Sequence, residues 1–128
     1  MSQPTISVET IENYNAIRMV WARHVNGPDV HSAFAQVQAI LNASDQQMYV
    51  VVDILNQPQF PLGDTLQAAM YGPYRNPNLK EWLIVGTNQF AKMIERVLAA
   101  TTGRHNVRWF DTEAEALDYL IQTTGMIS

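Results

Sequence analysis

Met48-Tyr49-Val50-Val51-Val52-Asp53-Ile54-Leu55 is an almost unbroken apolar run dominated by β-branched valines. It is too short for an ordinary helix, and β-branched side chains favour the pleated surface of a strand. No polar residue alternates with the valines, so the strand must be covered on both faces, as strands of parallel sheets are. Trp82-Leu83-Ile84-Val85 reads the same way, and Val107-Arg108-Trp109-Phe110 is a weaker instance. A helical spacing follows each of them. Leu62, Leu66, Ala69 and Met70 form a short stripe that Gly72-Pro73 stops. Phe90, Met93, Ile94, Val97 and Leu98 form a longer one, with Gly103 as its expected C-cap. Ala114, Leu117, Leu120 and Ile121 form the last, opened by the capping box Thr112-Glu113-Ala114-Glu115.

Upstream, the period changes. In Thr5–Ile11 (TISVETI), Ile6 and Val8 alternate with Ser7 and Glu9, the mark of a strand with one wet face. Glu12-Asn13-Tyr14-Asn15 supplies turn formers, and Ala16–Val25 alternates Ile17, Met19 and Trp21 against Arg18, Val20 and Ala22. A hairpin joins these two strands most economically. Asn26-Gly27-Pro28-Asp29 then opens a helix, with Pro28 suited to its first position and Asp29 favoured by the dipole of its first turn. Val30, Phe34, Val37 and Leu41 mark its buried stripe, and it is expected to end between Asn42 and Asp45. The string is β-β-α-β-α-β-α-β-α. It predicts an α/β fold with right-handed crossovers, a mostly parallel sheet and one antiparallel N-terminal strand, within a single domain over residues 1–128.

Composition agrees with a self-sufficient globule. Of 128 residues 47% are hydrophobic and 16% charged, a balance that folds rather than stays disordered. There is no cysteine, which excludes disulfides and thiolate chemistry. Twelve acidic against eight basic residues leave a formal charge of −4, a sign that opposes binding to nucleic acid or to an anionic membrane. Met1–Pro4 lacks the basic and apolar regions of a secretory leader, and no apolar run approaches the roughly 20 residues a bilayer requires. A cytoplasmic location is therefore expected.

Three segments carry a family resemblance: Arg23-His24-Val25-Asn26-Gly27-Pro28, Val51-Val52-Asp53-Ile54-Leu55-Asn56, and Trp109–Leu117 (WFDTEAEAL). Together with the order of elements they resemble the SpoIIAA-like group, or STAS domains, which includes bacterial anti-sigma-factor antagonists and the cytoplasmic tails of sulfate transporters. The first resembles that family's strand-to-helix passage, the second its central strand with one Asp, the third its final strand and acidic helix opening. The resemblance implies the SpoIIAA-like fold and a binding or regulatory role through protein contacts. In the phosphorylated antagonists the central strand leads to an Asp-Ser-Ser-Gly type turn. Here Asn56–Thr65 (NQPQFPLGDT) contains no serine, and its one hydroxyl, Thr65, lies beyond Pro61. The resemblance is thus to uncharacterised bacterial members without the serine switch.

Assembled chemistry is sparse. The six glycines are too scattered for a phosphate-binding fingerprint. Thr87 and Asn88 follow Gly86 between a strand and a helix, where free N–H groups can hold an anion; a simple helix cap is the competing and stronger reading. His24, Asp29 and His31 are close in sequence, but no further ligand completes a metal site, so none is expected, nor any cofactor. His105 reads as loop. Asp53 and Asp111 stand at or near the ends of parallel strands, with Asp64 in the loop beyond the first. Two carboxyl groups with separated pKa values can perform acid–base chemistry. Against that, Asp111 is explained by the helix start, and Asp53 is expected to accept N–H bonds from the loop after it. No nucleophile elbow occurs.

The segment 60–77 carries the expected binding residues Phe60, Asp64, Thr65, Tyr71, Tyr74 and Arg75 among the prolines 58, 61, 73 and 77. Stiffened loops bearing Tyr and Arg suit the centre of a contact surface, while tyrosines that merely cover the core are the plainer alternative. Three functions are left in order. First comes a non-enzymatic binding or regulatory module that contacts another protein or a second copy of itself, a homodimer included. Next is a binder of a small apolar ligand near Leu66, Met70, Phe90 and Met93. An enzyme using Asp53 or Asp111 ranks last.

Overall fold

The computed structural model describes residues 4–124. Its sheet contains β1 (Ile6–Ile11), β2 (Ala16–Trp21), β3 (Met48–Asp53), β4 (Leu79–Val85) and β5 (Val107–Phe110), side by side in chain order. The β1–β2 pair is antiparallel and the other three pairs are parallel. The helices are α1 (Gly27–Ala43), α2 (Leu62–Met70), α3 (Gln89–Thr102) and α4 (Glu113–Thr124), with single 3₁₀ turns at Glu12–Tyr14 and Pro73–Arg75. This is the expected string of elements, and the architecture is α/β with one antiparallel strand at the N-terminal edge. No helix among the described residues is long and apolar enough to cross a membrane.

Chain-order strands joined by crossovers of one hand must carry their helices on one face. Accordingly α1, α2 and α3 pack on the side of Ile17, Met19, Trp21, Val50, Val52 and Trp82. Only α4, which follows the last strand, folds onto the reverse side, where Ala116 and Leu120 meet Ala16, Tyr49, Val51, Leu83 and Val85. Every residue of β3 is buried, because both layers cover it. One helix cannot cover a five-stranded face, and polar side chains occupy the remainder of it: Glu9, Arg18 and Asp53 toward one end, Glu81 and Arg108 toward the other.

The helix ends follow their local chemistry. Asn26 caps α1 through Asp29 N–H at 2.8 Å, which places Pro28 one position further in than expected. Gly103 ends α3 in the left-handed region with φ of 74°. The capping box of α4 forms as read: Glu115 N–H donates to Thr112 Oγ1 at 3.2 Å and Thr112 N–H to Glu115 Oε1 at 3.1 Å.

Three boundaries differ from expectation, the first being β3, which ends at Asp53 rather than Leu55. β2 stops at Trp21 rather than Val25, because its partner turns away. Val20 is level with Asp53, the last residue of β3, and Asp53 Oδ1 draws in Leu55 N–H at 2.9 Å. Ala22 N–H still donates to Thr5 O beside β1, while residues 23–25, including His24, pair with the loop after β3, through Gln59 N–H to Arg23 O and Val25 N–H to Gln59 O. β4 begins at Leu79 rather than Trp82, because asparagines anchor the chain before it. Asn76 Nδ2 donates to Gln38 and Asn42 at 2.9 Å, and Asn78 Nδ2 donates to Leu41 O and Ser44 O at the end of α1.

Candidate functional site

Five aromatic rings from five parts of the chain line up on the three-helix face. Phe60 meets Trp21 edge-on at 5.4 Å between ring centroids, and Trp21 meets Phe34 at 6.1 Å. Phe34 meets Trp82 at 6.0 Å, and Trp82 stacks on Tyr74 at 6.2 Å. The alternation of β2 places Trp21 here, the stripe of α1 places Phe34, and β4 supplies Trp82. Edge-to-face contacts of this kind leave gaps that flat stacking would close. Between this row and α3 lies a cavity of about 90 Å³. Ala91, Ile94, Glu95 and Leu98 form its α3 wall, and all three tryptophans, Trp21, Trp82 and Trp109, line it.

The polar atoms of the wall divide sharply. Thr65 Oγ1 donates to Pro61 O at 2.8 Å and the Tyr74 hydroxyl donates to Arg104 O at 3.0 Å, so both are committed. Burial raises the Tyr74 pKa above the ordinary phenol value. By contrast, the indole Nε1–H groups of Trp21 and Trp82 are buried with no hydrogen-bond partner among the described residues. A buried donor left unpaired costs about 1–3 kcal/mol, so each is a departure from the norm.

Phe60 also lines a second, larger cleft of about 680 Å³, formed with Gln57, Thr87, Asn88, Phe90 and Lys92. The loops after β3 and β4 build it, and Gln57 Nε2 ties them together by donating to Thr87 O at 2.8 Å. The carboxyl ends of parallel strands are where open α/β sheets hold ligands. Asn88 Oδ1 accepts from Phe90 N–H at 2.9 Å and Ala91 N–H at 3.1 Å. The donors an anion would use there are thus taken by the cap, and Thr87 is merely exposed.

Of the expected binding residues, Phe60, Thr65 and Tyr74 come together in the cavity wall. Tyr74 is 2% exposed and belongs to the core rather than to an outer contact surface. Tyr71, 75% exposed, shares a separate shallow cleft with Arg75 against α1. Asp64 pairs with His31 Nε2 at 3.0 Å. Asp29 is engaged elsewhere, accepting from Thr5 N–H and Oγ1 at 2.7 Å, contacts that lower its pKa. His24, Asp29 and His31 therefore do not converge. The side of α3 that faces the cavity is rotated by one residue from the expected Phe90 and Met93 stripe. Ala91, Ile94, Glu95 and Leu98 turn inward, while Phe90, Met93 and Val97 are 46%, 39% and 39% exposed. Leu66 and Met70 pack against the core.

Sequence reasoning named Asp53 but missed the polar cluster that it joins. On the reverse face, Glu113 of α4 takes a two-pronged bridge from Arg18, Nε to Oε1 at 3.0 Å and Nη2 to Oε2 at 2.7 Å, and Arg18 also reaches Glu9 at 2.8 Å. Asp53 is the inner neighbour of Glu113. Burial pushes the Asp53 carboxyl up from its ordinary value, and a hydrogen bond with Glu113 pushes it the same way. Arg18 draws the Glu113 carboxyl down, aided by that hydrogen bond. Asp111 is exposed at the end of β5 and takes no part. Among the described residues, no group of three or more histidine, aspartate or glutamate side chains is arranged to hold a metal.

No protein-family model matches the chain. No curated protein matches it either. Among solved structures it is similar to the crystal structure of an uncharacterized DUF3478-family protein from Shewanella loihica PV-4 with a SpoIIAA-like fold, at a TM-score of 0.64 and 17% sequence identity. The match covers 94% of this chain and 98% of that one. The expected SpoIIAA-like fold is thereby established.

Proposed function

We propose that this chain is a non-enzymatic binding module of SpoIIAA-like architecture whose cargo is a small apolar ligand held between α3 and the sheet. The observation that carries this reading is the cavity of about 90 Å³ walled by Trp21, Phe34, Trp82 and Trp109. Ligand pockets are predominantly apolar and aromatic, and this wall has that character. A cavity of roughly 150 Å³ suffices for benzene, so a somewhat smaller molecule fits, or one end of a longer molecule that continues past Phe60. Asp53 and Glu113, the two carboxyl groups with opposed pKa shifts, are absent from the wall of this cavity, so that pair supplies no acid–base chemistry to the ligand site.

A second reading rests on Phe90, Met93 and Val97, which form an exposed apolar stripe along α3. Such a stripe suits a protein partner or a second copy of the chain. The two readings separate experimentally. Ala91→Leu puts a good helix former into the cavity wall and fills the space. It is expected to abolish the change in tryptophan fluorescence on titration with small apolar compounds, with helical circular dichroism unchanged. Titration curves unaltered by Ala91→Leu, or no fluorescence response in the parent, would overturn the ligand reading.

A further inference from the structure

We infer that the outer side of α3 is a docking surface for an amphipathic helix of another protein, one whose apolar stripe is edged with carboxylate side chains; the inference rests on the partner reading of this stripe and is independent of the cavity. Of the five large hydrophobic side chains exposed among the described residues, Phe90, Met93 and Val97 share this one helix. Their spacing of three and four positions sets them in a row along one side, the form against which a partner helix lays its own stripe. Two cations run beside the row. Arg96 follows Met93 by three positions and Lys92 precedes Arg96 by four, and both are exposed. Neither meets a carboxylate among the described residues; Lys92 Nζ sits 5.2 Å over the Trp109 ring instead. Through Phe90 the row leads into the outer cleft of about 680 Å³, where Lys92 is the one charged side chain among the described lining residues. In a chain of twelve acidic and eight basic residues, an exposed strip that carries cations alone calls for a partner of opposite sign. A second copy laid stripe to stripe does not supply it, because the one acid of α3, Glu95, lies on the cavity side. The formal charge of −4 disfavours an anionic membrane.

Two labelled peptides of about 18 residues, long enough to hold a helix in water, test this. Both carry the same leucine stripe at helical spacing; glutamate and alanine fill the remaining positions of one, lysine and alanine those of the other. Affinity is read from fluorescence anisotropy, and the contact from the NMR signals of Phe90, Met93 and Val97. At about 0.15 M salt the Debye length of about 8 Å screens the net charge of the chain and leaves contact pairs in force. The glutamate peptide is expected to bind about fivefold more tightly, the gain two exposed ion pairs supply, and to shift all three signals. The double variant Lys92→Gln/Arg96→Gln keeps good helix formers and should abolish that preference, while Met93→Gln should weaken both peptides alike. Helical circular dichroism equal to that of the parent shows that both variants are folded. Equal affinity for the two peptides, or a preference for lysine, overturns the acidic edge and leaves the partner reading standing. Dimerisation of the parent in sedimentation, lost in Met93→Gln, overturns the inference in favour of a second copy. Binding to phosphatidylserine vesicles but to neither peptide overturns it in favour of a membrane. A chain that stays monomeric and binds neither peptides nor vesicles overturns the inference and the partner reading together, and leaves the cavity reading untouched.

Discussion

Arg18 and Glu113 stand 95 positions apart in sequence and meet in a two-pronged bridge, Nε to Oε1 at 3.0 Å and Nη2 to Oε2 at 2.7 Å. The bridge fastens the first turn of α4 to the second strand of the sheet, across the face that α4 covers. Planar guanidinium and carboxylate groups match each other in this geometry, which fixes the direction of the contact as well as its strength. It also sets the electrostatics around Asp53. Arg18 serves Glu9, Asp53 and Glu113 together, and at Asp53, the most buried of the three, burial and the Glu113 hydrogen bond outweigh it and raise the carboxyl pKa.

Replacing Arg18 is therefore expected to do more than delete an ion pair. Arg18→Ala leaves Glu113 and Asp53 facing each other without a counter-charge. Both partners of the Arg18 bridge are about a third exposed, so solvent screening reduces the loss. A destabilisation of about 1–2 kcal/mol near neutral pH is expected. It should shrink under acid conditions, where protonation relieves the two carboxyl groups. Urea denaturation of parent and variant at two pH values measures it, and an equal loss at both would place the effect in packing alone.

Asp53 gives a pH dependence of definite sign. Its folded pKa lies above the ordinary 3.8, so its stabilising contribution is complete below 3.8 and is lost as pH rises through the folded value. Glu113 runs the other way: its folded pKa lies below 4.5, so its contribution is present above 4.5 and is lost as pH falls. Asp53→Asn imitates the protonated carboxyl, keeping an acceptor for Leu55 N–H and a donor for Glu113. The variant is expected to match the parent in acid and to exceed it at pH 7, where the parent must keep a carboxylate charged in a buried position. Denaturation midpoints across pH 3 to 8 test this; a gap that does not widen with rising pH refutes the assignment.

What was legible in the sequence depended on how far the deciding interaction reached. β3 and β4 declare themselves because burial on both faces writes itself into Tyr49–Val52 and into Trp82, Leu83 and Val85. The cap at Thr112 and Glu115 spans three positions and was equally visible. The end of β2 was not, because it is set by where a neighbouring strand turns at Asp53. The start of β4 depends on Asn76, Asn78 and Arg104, whose guanidinium donates to Tyr74 O, Asn76 O and Leu79 O from a distant loop. The site followed the same rule. Trp21, Phe34 and Trp82 each read correctly as inward-facing, but no local pattern reveals that their rings meet edge-on and leave a cavity. Glu113 went unnoticed because Glu115 accounted for the capping box. The available signal was an Arg on β2 whose side chain shares the face of Asp53.

Gly86 concentrates the backbone constraint of the loop that walls the outer cleft. It joins β4 to α3 at φ of +105°, a conformation that residues with a Cβ rarely adopt. A Cβ there would also lie 3.3 Å from the Ile54 carbonyl carbon and 3.4 Å from its oxygen, backbone atoms that cannot rotate aside. Ile54 N–H donates to Val85 O at 2.9 Å and Gly86 N–H to Phe110 O at 2.8 Å, so the crowded segment is hydrogen-bonded to strands on both sides. Gly86→Ala is expected to cost about 1–3 kcal/mol, the range for a residue forced into a sparsely populated backbone region. The strain should appear locally, as faster amide exchange at Ile54 and Gly86 than at Val50 in the middle of β3. A thermal midpoint equal to that of the parent would mean that the loop adjusts freely and that its conformation does not define the cleft.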